Sequence, residues 1–186
     1  PQYVLEGATY PERLTLLIEA LKTDFGQPDR IVASLLKRGV KNVGILGIAY
    51  TGDLKVHVMS PAIPIARKLK ENGVNVEVHD PYYPYQEIKE ITGCEAMRFP
   101  EGLKGKDTIL VATPHMVYNN TNRSLILENL TDAKLILDNV GTWKDLKFPS
   151  NISYYEVGRP NWLEEGIDSL ESVTLPRHVE TNLKEV

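Results

Sequence analysis

From Asn42 onward the chain alternates short apolar runs with segments long enough for a helix, and this alternation limits the fold more than any other feature. The runs are "KNVGILGIA", "VNVEVHDP", "DTILVATPH", "AKLILDNVG" and the weaker "ISYYEVG". Runs this short and rich in Val and Ile are strands, and the continuous apolar "DTILVATPH" reads as a parallel strand covered on both faces. The segments between them are then the crossovers, with helices at "PAIPIARKLKEN", "YQEIKEIT" and "RSLILENL". Right-handed crossovers bring every loop that follows a strand to one edge, the carboxyl edge of the sheet. That edge is expected to carry "AYTGDLKVHVM", "HDPYYP", "TPHMVYNN" and "NVGTW".

The pattern predicts an α/β domain, a Rossmann-like doubly wound parallel sheet of about five or six strands preceded by a helical arm. The arm is read from "PERLTLLIEALKTDF", where Leu14, Leu17, Ile18 and Leu21 recur at helical spacing, and from "PDRIVASLLKRG", which repeats the pattern after Gln27-Pro28. Residues 1–40 are assigned to the arm, 41–160 to the sheet domain and 161–186 to a polar tail that packs on the domain or reaches a neighbour. The apolar stripe on the arm either pairs with another copy of the chain or packs on its own sheet. Ser60 is placed to cap the helix over "PAIPIARKLKEN" and Pro61 to open it, with Ile63, Ala66 and Leu69 inward and a stop at Gly73. Val74, Val76 and Val78 alternate inward along the next strand.

Composition narrows the partners. A net charge of -4 and a pI near 5.6 offer no basic face to nucleic acid or to an anionic membrane. No apolar run approaches the roughly 18 residues of a membrane span, and "PQYVLEGATYPERL" lacks a charged-then-apolar signal pattern, so a cytoplasmic location is expected. The single cysteine, Cys94, excludes an internal disulfide and a multi-cysteine metal site. It reads as a half-buried structural thiol whose pKa the adjacent Glu95 raises. His57, His79, His115 and His178 are scattered without the His-x-x-x-His spacing that sets two ligands on one helical face, so no metal is expected. No Gly-x-Ser-x-Gly elbow anchors a hydrolase triad. The Asn-x-Ser/Thr sequons at Asn119, Asn122, Asn129 and Asn151 are read as chance.

The first strand run carries Gly44 and Gly47, which do not make the Gly-x-Gly-x-x-Gly turn that holds a dinucleotide phosphate. Asp80, at the end of the second strand, has two readings: an acceptor for a ribose, or the residue that ends the strand and starts a turn at Asp80-Pro81. His115 follows Thr113-Pro114 and faces the same edge, a candidate for ligand contact.

The run "GIAYTGDLKVHVMSPA" resembles, without a gap, the "GLAYKxxxDDxRESPA" segment of nucleotide-sugar dehydrogenases, the group of UDP-glucose, GDP-mannose and UDP-N-acetylmannosamine dehydrogenases. The similarity continues through "VNVEVHDPYYP", "KGKDTILVATPH", "AKLILDNVGTW" and "YYEVGRP", over residues 40 to 160. "LDNVGTW" is most similar to the UDP-N-acetylmannosamine and UDP-N-acetylglucosamine branch. The resemblance implies the carboxy-terminal domain of such an enzyme, which holds the UDP part of the substrate, and an arm like the end of the central dimerisation helix. It implies a UDP or UDP-sugar ligand, NAD as the family's cofactor bound mainly by a preceding domain, and a role in polysaccharide biosynthesis. The partner it implies is a second copy of the chain or a separate NAD-domain subunit.

By the same resemblance Tyr50, Thr51, Asp53, Lys55, Ser60, His115 and Asn139 are the expected UDP- and substrate-binding residues. No catalytic residue is assigned, because the family's thiohemiacetal cysteine and its NAD domain precede the matching region. Several positions depart from the pattern. Thr51 stands for the family's lysine, Lys55 and Val56 for its two aspartates, Val58 for its arginine, and Val140 for the arginine of the fourth strand motif. A lost charge-assisted hydrogen bond costs about 1.5–3 kcal/mol, so phosphate binding is expected to be weak unless Lys55 reaches in from its new position. These residues alone are expected not to oxidise a sugar nucleotide. The alternative is a non-catalytic nucleotide-binding or assembly module derived from the family.

Overall fold

Asn42–Leu46 forms β1, the strand on which the rest of the sheet is ordered. The computed structural model describes residues 2–158. Within them the sheet also contains β2 (Asn75–His79), β3 (Glu95–Ala96), β4 (Thr108–Val111), β5 (Leu135–Asp138) and β6 (Ser153–Glu156). The spatial order is β3-β2-β1-β4-β5-β6, and every neighbouring pair is parallel. Leu46 pairs with His79 on one side and Val111 on the other, Val111 with Asp138, and Asp138 with Glu156. These strands therefore end level, and the reversal of order between β1 and β4 opens a crevice at their carboxyl ends.

The helices are α1 (Gln2–Glu6), α2 (Thr15–Phe25), α3 (Gln27–Lys37), α4 (Ala62–Glu71), α5 (Tyr85–Thr92), α6 (Met116–Asn120) and α7 (Arg123–Asn129). Side chains alternate across the strands, so each face of the sheet has its own core. One face buries Ile45, Val78 and Leu110 against Ile31 and Leu35 of α3, Ile65 and Leu69 of α4, and Ile88 of α5. The other buries Leu46, Ile109, Val111 and Ile136 against Leu103, Tyr118, Ile126 and Trp143. β4 and β5 are buried at every position, which is why they read as continuous apolar runs.

Several local expectations change. α4 starts at Ala62, with no side-chain cap, and Ser60 is buried with its Oγ unpartnered, so Ser60 is not the cap. Pro61 stands at the N-cap of α4, one residue ahead of the first helical position. The buried stripe of α4 is Ala62, Ile65, Ala66 and Leu69, with Ile63 half-buried at its margin. Cys94 is fully buried, not half-buried, and burial is the main cause that pushes its thiol up, with Glu95 the smallest.

The arm also divides. α3 belongs to the core of the sheet domain, whereas Leu5 of α1 and Leu21 of α2 form a separate cluster with Leu14, Leu17, Ile18 and Phe25. The tail over residues 161–186, and His178 within it, lie outside the described residues.

Candidate functional site

The long connection from Gly47 to Pro61 lies at the carboxyl edge, and its shape follows from a few buried polar groups. The Gly47 N–H donates to the His79 carbonyl at 2.7 Å. Gly47 has φ +91, and a Cβ there would lie 2.4 Å from that of Thr113, so the loop turns away in a space only glycine fits. Next along the chain, the N–H groups of Ile48 and Ala49 donate to Asp80 Oδ2 at 2.8 and 3.1 Å. Asp80 Oδ1 accepts from the Tyr82 N–H at 2.9 Å, the bond that turns the chain after β2. Thr113 Oγ1 donates to the Ala49 carbonyl at 2.7 Å and ties the loop to the end of β4.

His115 is wholly buried between the loop and Asp80. Its Nδ1 accepts the Asp53 N–H at 2.9 Å, so the proton sits on Nε2, which donates to Asp80 Oδ2 at 3.1 Å. Asp53, in the left-handed region at φ 59, accepts from the Met116 N–H at the start of α6 and from the Tyr82 hydroxyl. A single chain of hydrogen bonds thus joins the loop, the end of β2 and the start of α6. Burial alone would raise the Asp80 carboxyl, but the bonds from His115, Ile48 and Tyr82 outweigh it and hold the group below its ordinary value.

A second anchor sits at the end of β5. Asp138, fully buried, accepts from the Trp143 N–H at 2.7 Å, the Tyr154 hydroxyl at 3.0 Å and the Val140 N–H at 3.2 Å. Trp143 Nε1 donates in turn to the Tyr118 carbonyl at 3.0 Å. Sequence reasoning passed over Asp138, Tyr118 and Trp143. The signal was the Asp of "LDNVGTW" at a strand end, the position Asp80 holds in "VHDP".

The expected site residues separate by exposure. Tyr50 and Thr51 stand out in solvent, and Asn139, half-buried, donates from Nδ2 to the Ala112 carbonyl at 3.3 Å. Lys55 is exposed, but its ammonium pairs with Glu87 of α5 at 2.7 Å and lies 5.2 Å over the Tyr83 ring. His57 Nδ1 lies 3.2 Å from the Tyr83 hydroxyl. Ser60 and His115 are turned into the structure, with both ring nitrogens of His115 taken and Ser60 5% exposed, while Asp53 is half-buried with its carboxylate bonded to Met116 and Tyr82. Of the two readings of Asp80, the turn is the one formed, since its carboxylate is filled by internal donors.

Beside Thr51 and Lys55, the same edge exposes the apolar side chains of Tyr50, Leu54, Val58, Met59, Met116 and Val140. The connection between Leu46 and Ala62 is also too long and too irregular for a dinucleotide phosphate turn, so the described residues do not fit NAD. Among the described residues no group of three His, Cys, Asp or Glu is placed to hold a metal ion, and no helix is long and apolar enough to cross a membrane.

Comparison with known proteins bears directly on this edge. UDP-N-acetyl-D-mannosamine dehydrogenase of Methanococcus aeolicus is 26% identical over 155 residues, 74% of this chain and 33% of that protein. Protein CapL of Staphylococcus aureus is 28% identical over 166 residues, 87% of this chain and 35% of that protein. The chain thus spans about a third of the length of the curated relatives it matches. Among solved structures, an NDP-N-acetyl-D-galactosaminuronic acid dehydrogenase from Methanosarcina mazei Go1 superposes with a TM-score of 0.56 at 23% identity, over 73% of this chain and 30% of that one. The UDP-N-acetyl-mannosamine dehydrogenase Cap5O of S. aureus gives 0.53 at 19% identity, over 70% and 30%, and both show the fold alone. A model described as "UDP-glucose/GDP-mannose dehydrogenase family, UDP binding domain" matches residues 44–145, more than half of the chain and all four strand-end loops described above. The chain belongs to the UDP-glucose/GDP-mannose dehydrogenase family, through its UDP binding domain.

Proposed function

We propose that this domain holds the uridine diphosphate part of a nucleotide sugar at the carboxyl edge of its sheet. It does so as part of an NAD-dependent nucleotide-sugar 6-dehydrogenase of the UDP-N-acetylmannosamine or UDP-glucose type. The observation that carries the proposal is the family match over residues 44–145, which takes in the connection from Gly47 to Pro61 and the loops after β2, β4 and β5. Direct contact is assigned to Tyr50, Thr51, Lys55, Asn139 and the loop backbone. Ser60 and His115, being buried, and Asp53, bonded to the start of α6, are assigned to holding the loop in place. Hydride transfer to NAD and the covalent chemistry on the sugar are assigned to a different domain or subunit, so the 186 residues bind without oxidising. Association with a second copy or with an NAD-domain subunit, in the cytoplasm, completes the proposal.

The contacts available are mostly neutral, and a neutral hydrogen bond contributes about 1 kcal/mol net. UDP binding is therefore weak, and restoring cations strengthens it. Thr51→Lys with Val58→Arg tightens UDP by about ten- to a hundredfold, since each tenfold step is about 1.4 kcal/mol. The gain shrinks as salt rises, through screening. Calorimetry of the wild type and the double variant at two ionic strengths tests this, and two folded proteins that both fail to bind UDP would end the proposal.

A second reading is favoured by the apolar character of the same edge, where Leu54, Val58, Met59 and Val140 are exposed and Lys55 is tied to Glu87. On that reading the domain is a non-catalytic assembly module that keeps the fold. Absence of UDP binding together with concentration-dependent sedimentation selects it.

A further inference from the structure

The opposite, amino edge of the sheet carries a cavity that the family match does not account for. It encloses about 480 Å3 between the end of α3 and the starts of β1, β4, β5 and β6. Its walls include Arg38, Lys41, Asp107, Lys134, Ser153 and Tyr155. Three of these are cations and one is an anion, in a chain whose net charge is -4. The anion is turned to the backbone: Asp107 Oδ2 accepts the N–H groups of Lys41 and Asn42 at 2.9 and 2.8 Å, and its Oδ1 accepts the Thr108 hydroxyl at 2.8 Å. Asp107 thereby pins the start of β1 beside that of β4 and fixes the rim on which Lys41 stands. Arg38 lies over the Tyr155 ring at 5.8 Å. Lys41 and Lys134 are exposed and make no ion pair among the described residues.

We propose that this amino-edge cavity is a binding site for a phosphorylated small molecule, held by Lys41 and Lys134 with Arg38 at its back. The volume falls within the roughly 300–1,000 Å3 of small-molecule sites, which is larger than one phosphate group needs. Ammonium groups on two separate strand starts suit the spread oxygens of a phosphate chain, and the Ser153 hydroxyl supplies a further donor. The site is distinct from the proposed UDP edge, being at the other end of the strands.

The test is titration of the 186-residue chain with inorganic pyrophosphate and with AMP, read by calorimetry and by amide chemical shifts. Saturable binding is expected, with shifts at Gly39, Lys41, Lys134 and Ser153 and none from Tyr50 to Lys55. Lys41→Ala with Lys134→Ala weakens it by about tenfold or more, and high salt weakens it further. Lys41→Glu with Lys134→Glu abolishes it while the urea midpoint stays in place. Failure of both probes to bind, equal binding by wild type and the alanine double variant, or shifts confined to the carboxyl edge would overturn the proposal. Binding of citrate as tight as pyrophosphate would overturn the assignment to phosphate.

Discussion

His79 ends β2 with its ring 5.6 Å from that of Phe99 and its Nδ1 2.9 Å from the Tyr118 hydroxyl. Burial lowers its pKa from the ordinary 6.5 to about 4, Asp80 opposing the shift and His115 adding to it. Between those pH values the unfolded chain binds a proton at this position that the folded chain does not. Stability is therefore full above pH 6.5 and falls as pH drops toward 4, by about 3 kcal/mol at roughly 1.4 kcal/mol per pKa unit. Urea unfolding across this window is expected to show the slope in the wild type and to lose most of it in His79→Gln. Asp80 works in the same sense at lower pH: its depressed carboxyl stabilises the fold above its ordinary 3.8, and that stability is lost as pH falls through the lower folded value. Asp80→Asn sets an amide against the Ile48 and Ala49 donors at every pH. It is expected to lower stability by about 2–4 kcal/mol, measured by urea unfolding at neutral pH. The candidate site was partly legible at this scale. "HDP" and "TPH" mark strand ends, and the edge they share follows from parallel topology. Their inward bonding did not follow, because which way a strand-end side chain turns is set by a loop far away in sequence.

The loop after β1 and the turn after α4 separate two effects of glycine. Gly47 (φ +91) and Gly73 (φ +79) both lie in the left-handed region, but a Cβ at Gly73 meets nothing within 4 Å, whereas one at Gly47 runs into Thr113. Gly73→Ala should therefore cost about 1 kcal/mol, the backbone penalty alone. Gly47→Ala adds a collision with the side chain that ties β4 to the loop, and should cost about 3 kcal/mol or more. Chemical denaturation of the two variants checks the contrast, and equal losses would mean that the loop yields freely. Element by element, the helices after β1, β2 and at "RSLILENL" were legible because each buries a periodic face, and β4 and β5 because they are apolar throughout. The five-residue α1 and α6 and the two-residue β3 were not. Segments that short hold no full period, and tertiary contact alone defines them. Ser60 illustrates the limit of local rules: one position before a proline it suits a cap, yet its side chain is buried and α4 has no side-chain cap.

At the scale of the whole molecule the boundary between arm and sheet decides what can be removed. Helical spacing put α2 and α3 together in one arm, because both are amphipathic and periodicity does not say what a stripe faces. In the structure Ile31, Val32 and Leu35 of α3 are part of the core that includes Ile45, Val78 and Leu69, while Leu14 and, in α2, Leu17 and Ile18 pack in a separate cluster with Leu5, Leu21 and Phe25. Burying one such side chain contributes about 1.5–3 kcal/mol, so the three of α3 together approach the 5–15 kcal/mol stability of an ordinary domain. A chain starting at Gln27 is therefore expected to unfold cooperatively in urea with a midpoint close to that of the full chain, and a chain starting at Asn42 is expected not to fold. The first two helices leave Tyr3 87% and Leu16 85% exposed, beside the half-covered Leu14 and Leu17, which is more apolar surface than an isolated helix pair usually keeps in water. If that surface pairs copies of the chain, sedimentation will show association that rises with concentration in the full chain and disappears in the chain starting at Gln27. A full chain that stays monomeric, with a Gln27 start that loses the sheet, would instead mean that the first two helices stabilise their own domain.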